Sequence, residues 1–299
     1  MTTLKFGRRP PKNAPAIKLA ALLTGVVPAH PAAVDYLAQL TAWQMLGNDQ
    51  YGDCVAVTWA NVRRLVTAAL GTESYPTLAE VLAFYRTQNP NFPTDDNGMD
   101  IQTALEALVH DGGPDGVKAI AFAKVDHTNV DEVFAAVAVF GSVWVGINVQ
   151  AANMTDFDAG KPWTYHSGSA IDGGHSVIVG GYSGLASDDE RLITWAAETG
   201  FTDTFWSHLV EEAWVVIWPE HFGSREFLEG VDLAALAIDY QAITGRALPV
   251  PAPAPTPAPA DVDATFAAVL RPWVALRHSG VNKVAATAAK AWLSEKGMA

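Results

Sequence analysis

The stretch Gly47-Asn48-Asp49-Gln50-Tyr51-Gly52-Asp53-Cys54, GNDQYGDC, holds the single cysteine of the chain and runs straight into VAVTWANVRRLVTAAL. Glycine, asparagine and aspartate dominate the positions before the cysteine, the composition of a turn. The apolar residues after it recur at helical spacing, so a helix is predicted over 53–70 with Cys54 at its mouth. A helix N-terminus carries partial positive charge and is one of the few metal-free settings that lowers a thiol pKa. Its unpaired N–H groups can also face a developing oxyanion. A lone cysteine at such a place is more often packing than nucleophile, so the position alone decides nothing.

Composition narrows the classes. The chain has 299 residues, 49% apolar and 17% charged, with 10 Trp and 12 Phe, which excludes a disordered chain. One cysteine excludes an internal disulfide and a multi-cysteine metal centre, and no cofactor motif or metal-ligand spacing is present. The net charge is −13, unevenly spread: residues 1–13 carry +4, 261–299 carry +2, and 14–260 hold −19. An acidic body of that kind repels phosphates, so no nucleic-acid partner is expected. No apolar run reaches the roughly 18 residues of a membrane span. Arg8-Arg9 followed by LAALLTGVVPA imitates an export signal, but Pro10-Pro11 and Lys18 argue against a cleaved one.

Along the chain, residues 1–42 read as an irregular N-terminal arm with Pro10, Pro11, Pro15, Pro28 and Pro31. Helices are predicted at 77–88, 100–112 and 130–141, the last two closing on glycine. The texture then changes to β-branched and aromatic runs: SVWVGINV (142–149), HSVIVGGYS (175–183), RLITWAAE (191–198) and AWVVIWP (213–219). Helices first and strands later make the fold class α+β. The Pro/Ala-rich stretch 249–260 reads as a polyproline spacer of about 35 Å at roughly 3.1 Å per residue. Residues 261–299 read as a small basic helical module with Trp273 and Trp292. It is too short to bury much of its own surface, so it is expected to dock on an assembly surface.

A thiol nucleophile needs a base. His175 stands out among the histidines: it follows Asp172-Gly173-Gly174 and opens an apolar strand. A histidine after Gly-Gly is also a common turn residue, so this signal too is unspecific alone. In order, however, GNDQYGDC-helix, SVWVGINV, GGHSVIVGGYS, ITWAAETGF and EEAWVVI resemble the papain-like cysteine peptidases over residues 43–218. The resemblance implies a helical part built on a central nucleophile helix and a C-terminal antiparallel β part. It implies Cys54 as nucleophile, His175 as base and Asn48 as oxyanion donor, with Gln50 a rival for that role. Trp195 matches the tryptophan of the family's Asn-Ser-Trp-Gly motif, which shields the histidine's hydrogen bond. A leader of the W-x-M-L-G-N-D-x-x-G-D-C kind, here Trp43 to Cys54, is similar to papain-like proteins of actinobacteria and their phages.

One departure bears on catalysis. The asparagine that orients the family's histidine falls on Ile193, which cannot do so; Thr194 is the nearest polar substitute, with Glu198 and Asp203 placed in the following loop. Two functions therefore compete. The first is a cysteine hydrolase acting on a peptide or amide bond, cell-wall peptide included. The second is a structural virion component (minor capsid, decoration or tail protein) using the fold without catalysis. Either places the chain in a virion or in the cytoplasm of an infected bacterium.

Overall fold

In the computed structural model a helix starts at the cysteine itself. The structure describes residues 4–10, 17–25, 28–69, 71–249 and 281–295. Helix α1, Cys54–Ala69, is buried on nearly every side through Thr67, the pattern of a helix lying inside the molecule. Its two arginines are buried with partners. Arg63 bonds Asp115 at 2.8 Å and Glu220 at 2.7 Å, and Arg64 bonds Glu73 at 2.8 Å and the Thr41 carbonyl at 2.7 Å.

Two more helices pack on this side. Helix α2, Leu78–Tyr85, starts at a capping box between Thr77 and Glu80. Helix α3, Ile101–His110, starts where the Asp100 carboxylate accepts from the Thr103 N–H at 2.7 Å. Helix α4, Val130–Phe140, ends at Gly141 in the left-handed region. The remaining described α-helices are α5 (Ala151–Asp158), α6 (Asp203–Leu209), α7 (Arg225–Gly230), α8 (Leu233–Thr244) and α9 (Val281–Glu295). Helices α5 to α8 had no prediction.

The strands are β1 (Arg8–Arg9), β2 (Val34–Asp35), β3 (Met99–Asp100), β4 (Ala121–Val125), β5 (Val143–Gln150), β6 (Ile171–Tyr182), β7 (Glu190–Thr194), β8 (Ala197–Phe201) and β9 (Val210–Ile217). The main sheet is antiparallel in the order β4-β9-β5-β6-β7-β8, with β2 pairing β6. Side chains alternate across it with period two. Val143, Val145, Ile147, Val177, Val179, Leu192, Ala213 and Val215 enter one core with α4 and Leu19, Leu22 and Leu23 of the N-terminal region. Trp144, Ile178, Ile193, Trp214 and Val216 enter a second core with α1, α2 and α3.

Three local expectations change. The strand read as opening at His175 begins at Ile171, so the histidine lies within it. The run 191–198 is a hairpin rather than one strand: β7 and β8 are joined by Trp195 and Ala196, at φ 42° and 62°. Glu198 thus lies on β8 and Asp203 in the first turn of α6, not in a loop.

The chain divides into two compact units, Met1–Pro249 and Val250–Ala299. Of the second, the spacer and the first part of the basic module lie outside the described residues; α9 is its described element.

Candidate active site

The turn at 47–53 delivers Cys54 to the N-terminus of α1. The turn closes through bonds from the Gln50 and Tyr51 N–H groups to the Gly47 carbonyl, at 2.8 and 2.9 Å. A hydrogen-bonded relay then ties the first turn of α1 to β6. Trp144 Nε1 donates to Ser176 Oγ at 2.8 Å, Ser176 Oγ to Thr58 Oγ1 at 3.0 Å, and Thr58 Oγ1 to the Cys54 carbonyl at 2.9 Å. The thiol is within hydrogen-bonding reach of the Ser176 N–H, so the cysteine is held at the residue next to His175. None of Trp144, Ser176 and Thr58 was singled out from the sequence.

His175 is fixed from two directions. Its Nε2 lies 2.7 Å from Thr194 Oγ1, and its ring stacks on Trp195 with centroids 4.4 Å apart and planes at 20°. Strand parity explains why Thr194 rather than Ile193 meets the imidazole. Ile193 pairs Ile178 and faces the α1 core, so the next residue turns to the opposite face, which His175 shares with Val177 and Val179. The left-handed turn right after Thr194 folds the Trp195 ring over the histidine. His175 Nδ1 is buried with no hydrogen-bond partner among the described residues.

Asn48 is buried; its amide donates to the Tyr51 carbonyl at 3.4 Å and borders the Asp53 carboxyl, so its donors face the turn itself. Gln50 is exposed on that turn.

The site is covered by the chain's own N-terminus. Lys5 N–H donates to the Asn48 carbonyl at 3.3 Å, and Trp195 Nε1 donates to the Lys5 carbonyl at 3.3 Å. The Phe6 ring stands edge-on to His175 and Trp195, at 6.0 and 5.7 Å. Gly7 N–H donates to the Gly174 carbonyl at 3.2 Å, and the Gly7 carbonyl accepts from Met99 N–H at 2.7 Å. Gly7 also reaches the Cys54 thiol with its N–H. A Cβ on Gly7 would lie 1.8 Å from the Gly52 carbonyl oxygen, so only glycine fits the crossing point. Under this cover Cys54 and His175 are each 1% exposed.

Burial sets the protonation states. It pushes the Cys54 thiol up to about 12, against the weaker pull of the Ser176 N–H. It pushes His175 down to about 3, with the Arg8 charge adding to the effect. Under the cover the thiol and the imidazole are thus both neutral.

No family model matches the sequence, and no curated protein matches it. Among solved structures the chain is similar to xylellain, a cysteine protease from Xylella fastidiosa, with a TM-score of 0.58 over 73% of this chain and 97% of that one at 14% identity. The fold is papain-like. It is also similar to Amb a 11, a ragweed pollen allergen cysteine protease in its proform, with a TM-score of 0.50 over 65% of this chain and 67% of that one at 13% identity. At such identities the likeness is one of fold. Within this papain-like frame the strands carrying His175 and Thr194 send alternate side chains into both cores, and the helix carrying Cys54 packs on one of their faces and is tied to β6 by the Ser176–Thr58 hydrogen bond.

Proposed function

We propose that the chain is a papain-like cysteine hydrolase acting on a peptide or amide bond, present here in a covered form. The observation that carries this reading is the histidine. His175 has Nε2 anchored on Thr194 and its ring held on Trp195, its buried Nδ1 is left without a partner, and the thiol lies within reach of the N–H of the next residue, Ser176.

In this reading a Thr194 oxygen that accepts from Nε2–H leaves the Nδ1 lone pair to take the Cys54 proton. The sulfur attacks the substrate carbonyl carbon, and its oxygen becomes an oxyanion. The Cys54 N–H and the Asn48 amide, turned from the Tyr51 carbonyl, donate to it. The C–N bond breaks as His175 returns the proton to the leaving amine. Water, deprotonated by the same nitrogen, then releases the acid from the thioester.

The test uses the full chain bearing Gly7→Ala, in which the new methyl cannot coexist with Gly52 and the N-terminal segment must lift. Iodoacetamide is expected to label Cys54 in this variant below the free-thiol range of about 8.5. Adding His175→Ala should move the profile back up. Hydrolysis of a quenched fluorescent protein substrate should vanish with Cys54→Ala. A folded, uncovered Cys54 that labels like an ordinary thiol, with no hydrolysis, would sink the proposal. The virion-component reading has one observation in its favour, the complete burial of both groups, and it expects that negative result.

A further inference from the structure

Next to Gly7, Arg8 turns its side chain into the sheet. Its Nη1 bonds Glu212 Oε1 at 2.8 Å, with the two side chains 2% and 0% exposed, and its Nη2 bonds Asn148 Oδ1 at 3.3 Å. The receiving groups are themselves oriented. Trp214 Nε1 donates to Glu212 Oε2 at 2.8 Å, and Asn148 Nδ2 donates to Glu211 Oε1 at 2.7 Å, which aims the Asn148 carbonyl oxygen at the guanidinium. Space for the arginine comes from a missing side chain. A Cβ on Gly146 would lie 2.7 Å from Arg8 Cδ and 2.6 Å from Glu212 Cγ. Gly146, Asn148 and Glu212 share one face of β5 and β9, where Gly146 pairs Glu212.

A carboxylate sunk this deep is costly unless a cation meets it. The planar fork of a guanidinium meets both acceptors at once, which a lysine ammonium or an apolar side chain does not. The slot opens beside the Gly174 carbonyl and Met99 N–H, which hold Gly7 in the main-chain bonds an extended peptide makes. The residue that precedes Arg8 touches the thiol.

We infer that Glu212, with Asn148 and the Gly146 gap, forms a guanidinium-recognition pocket that selects an arginine side chain on a peptide bound across Cys54, and that Arg8 of this chain is its resident occupant. The substrate part of this inference rests on the hydrolase reading; the pocket does not.

The experiment keeps the two apart. Full-length Arg8→Ala is titrated with N-acetyl-arginine amide and with N-acetyl-norleucine amide, by calorimetry and thermal shift. The arginine probe is expected to saturate at least tenfold more tightly than the norleucine probe. It should not bind the wild-type chain, whose pocket is filled, and Glu212→Gln added to Arg8→Ala should erase the difference. Should Arg8→Ala fold poorly on its own, the readout is recovery of its folded signal, which N-acetyl-arginine amide is expected to restore and N-acetyl-norleucine amide is not. Equal affinities, no binding, or a preference that survives Glu212→Gln would overturn the pocket. With fluorogenic dipeptide amides, turnover should favour arginine over leucine in one of the two positions and lose that preference with Glu212→Gln. Selective binding with no turnover of any amide would uphold the pocket and overturn the hydrolase.

Discussion

Thr194 Oγ1 lies 2.7 Å from His175 Nε2, and in the proposed hydrolase this hydroxyl is the group that orients the imidazole. Thr194→Val keeps the β-branched shape and removes that partner, leaving a buried ring nitrogen unpaired at a cost of about 1–3 kcal/mol. Denaturant unfolding should show that loss, and Thr194→Ser should restore most of it. In the uncovered Gly7→Ala background, Thr194→Val is expected to lower kcat by roughly a hundredfold, the lower end for general acid–base catalysis. Unchanged kcat in a folded Thr194→Val protein would remove the threonine from the chemistry.

Between elements, the relay Trp144–Ser176–Thr58 joins the cysteine helix to the histidine strand through buried groups. Ser176→Ala strands the Trp144 indole N–H and leaves the Thr58 hydroxyl without its donor. We expect a stability loss of about 1–3 kcal/mol by urea unfolding, with the fold intact by circular dichroism. If Ser176→Ala matches wild type within 0.5 kcal/mol or so, the relay is not what fixes α1 against β6. The N-terminal segment is another element-scale device. It contributes no side chain deeper than Arg8, yet it turns an open helix end into a dry site, which is why the thiol stands near 12 and the imidazole near 3.

For the whole molecule, buried titratable groups of two kinds set the pH response. His175 and His221, pushed down to about 3 and about 4 by burial, stay neutral in the fold while the unfolded chain takes up protons below its ordinary 6.5. Their contribution is complete above 6.5 and is lost as pH falls towards those values. Burial pushes Asp53 and Glu190 up to about 8, so the fold holds protons that the unfolded chain has released. Their contribution is complete below their ordinary 3.8 and 4.5, and is lost as pH rises to about 8. The two pairs oppose each other between about 4.5 and 6.5 and act alone outside it. Melting temperature should therefore be flat in that mildly acidic window and fall on both sides. Asp53→Asn with Glu190→Gln should remove the fall between 6.5 and 8; a wild-type Tm that climbs steadily from pH 5 to 8 contradicts this. A second expectation concerns the two compact units. Deleting residues 250–299 should leave the 1–249 unit folded with its Tm within a few degrees, and should abolish any association made through the basic module. Unfolding on deletion would make that module part of the core.

The sequence by itself determined the local choices. Turn formers before an apolar period of 3.6 residues gave α1 and the place of Cys54, acidic caps and closing glycines gave α3 and α4, and β-branched runs gave β5, β6 and β9, because these signals are written in neighbouring residues. They failed where no such signal exists. The 191–198 run carries neither glycine nor asparagine at its turn, so the left-handed Trp195 and Ala196 read as strand. The polar group that meets His175 was open among Thr194, Glu198 and Asp203 until strand pairing fixed which face each takes, since a shift of one residue exchanges the faces. Only the tertiary structure placed residues 4–10 over the site and Arg8 on Glu212, a pairing 204 residues apart in sequence. In the sequence Arg8 is one charge in a basic leader, and Glu212 is an acid in an apolar strand at the parity of Trp214 and Val216. What joins them is chain closure across the sheet, which no local pattern encodes.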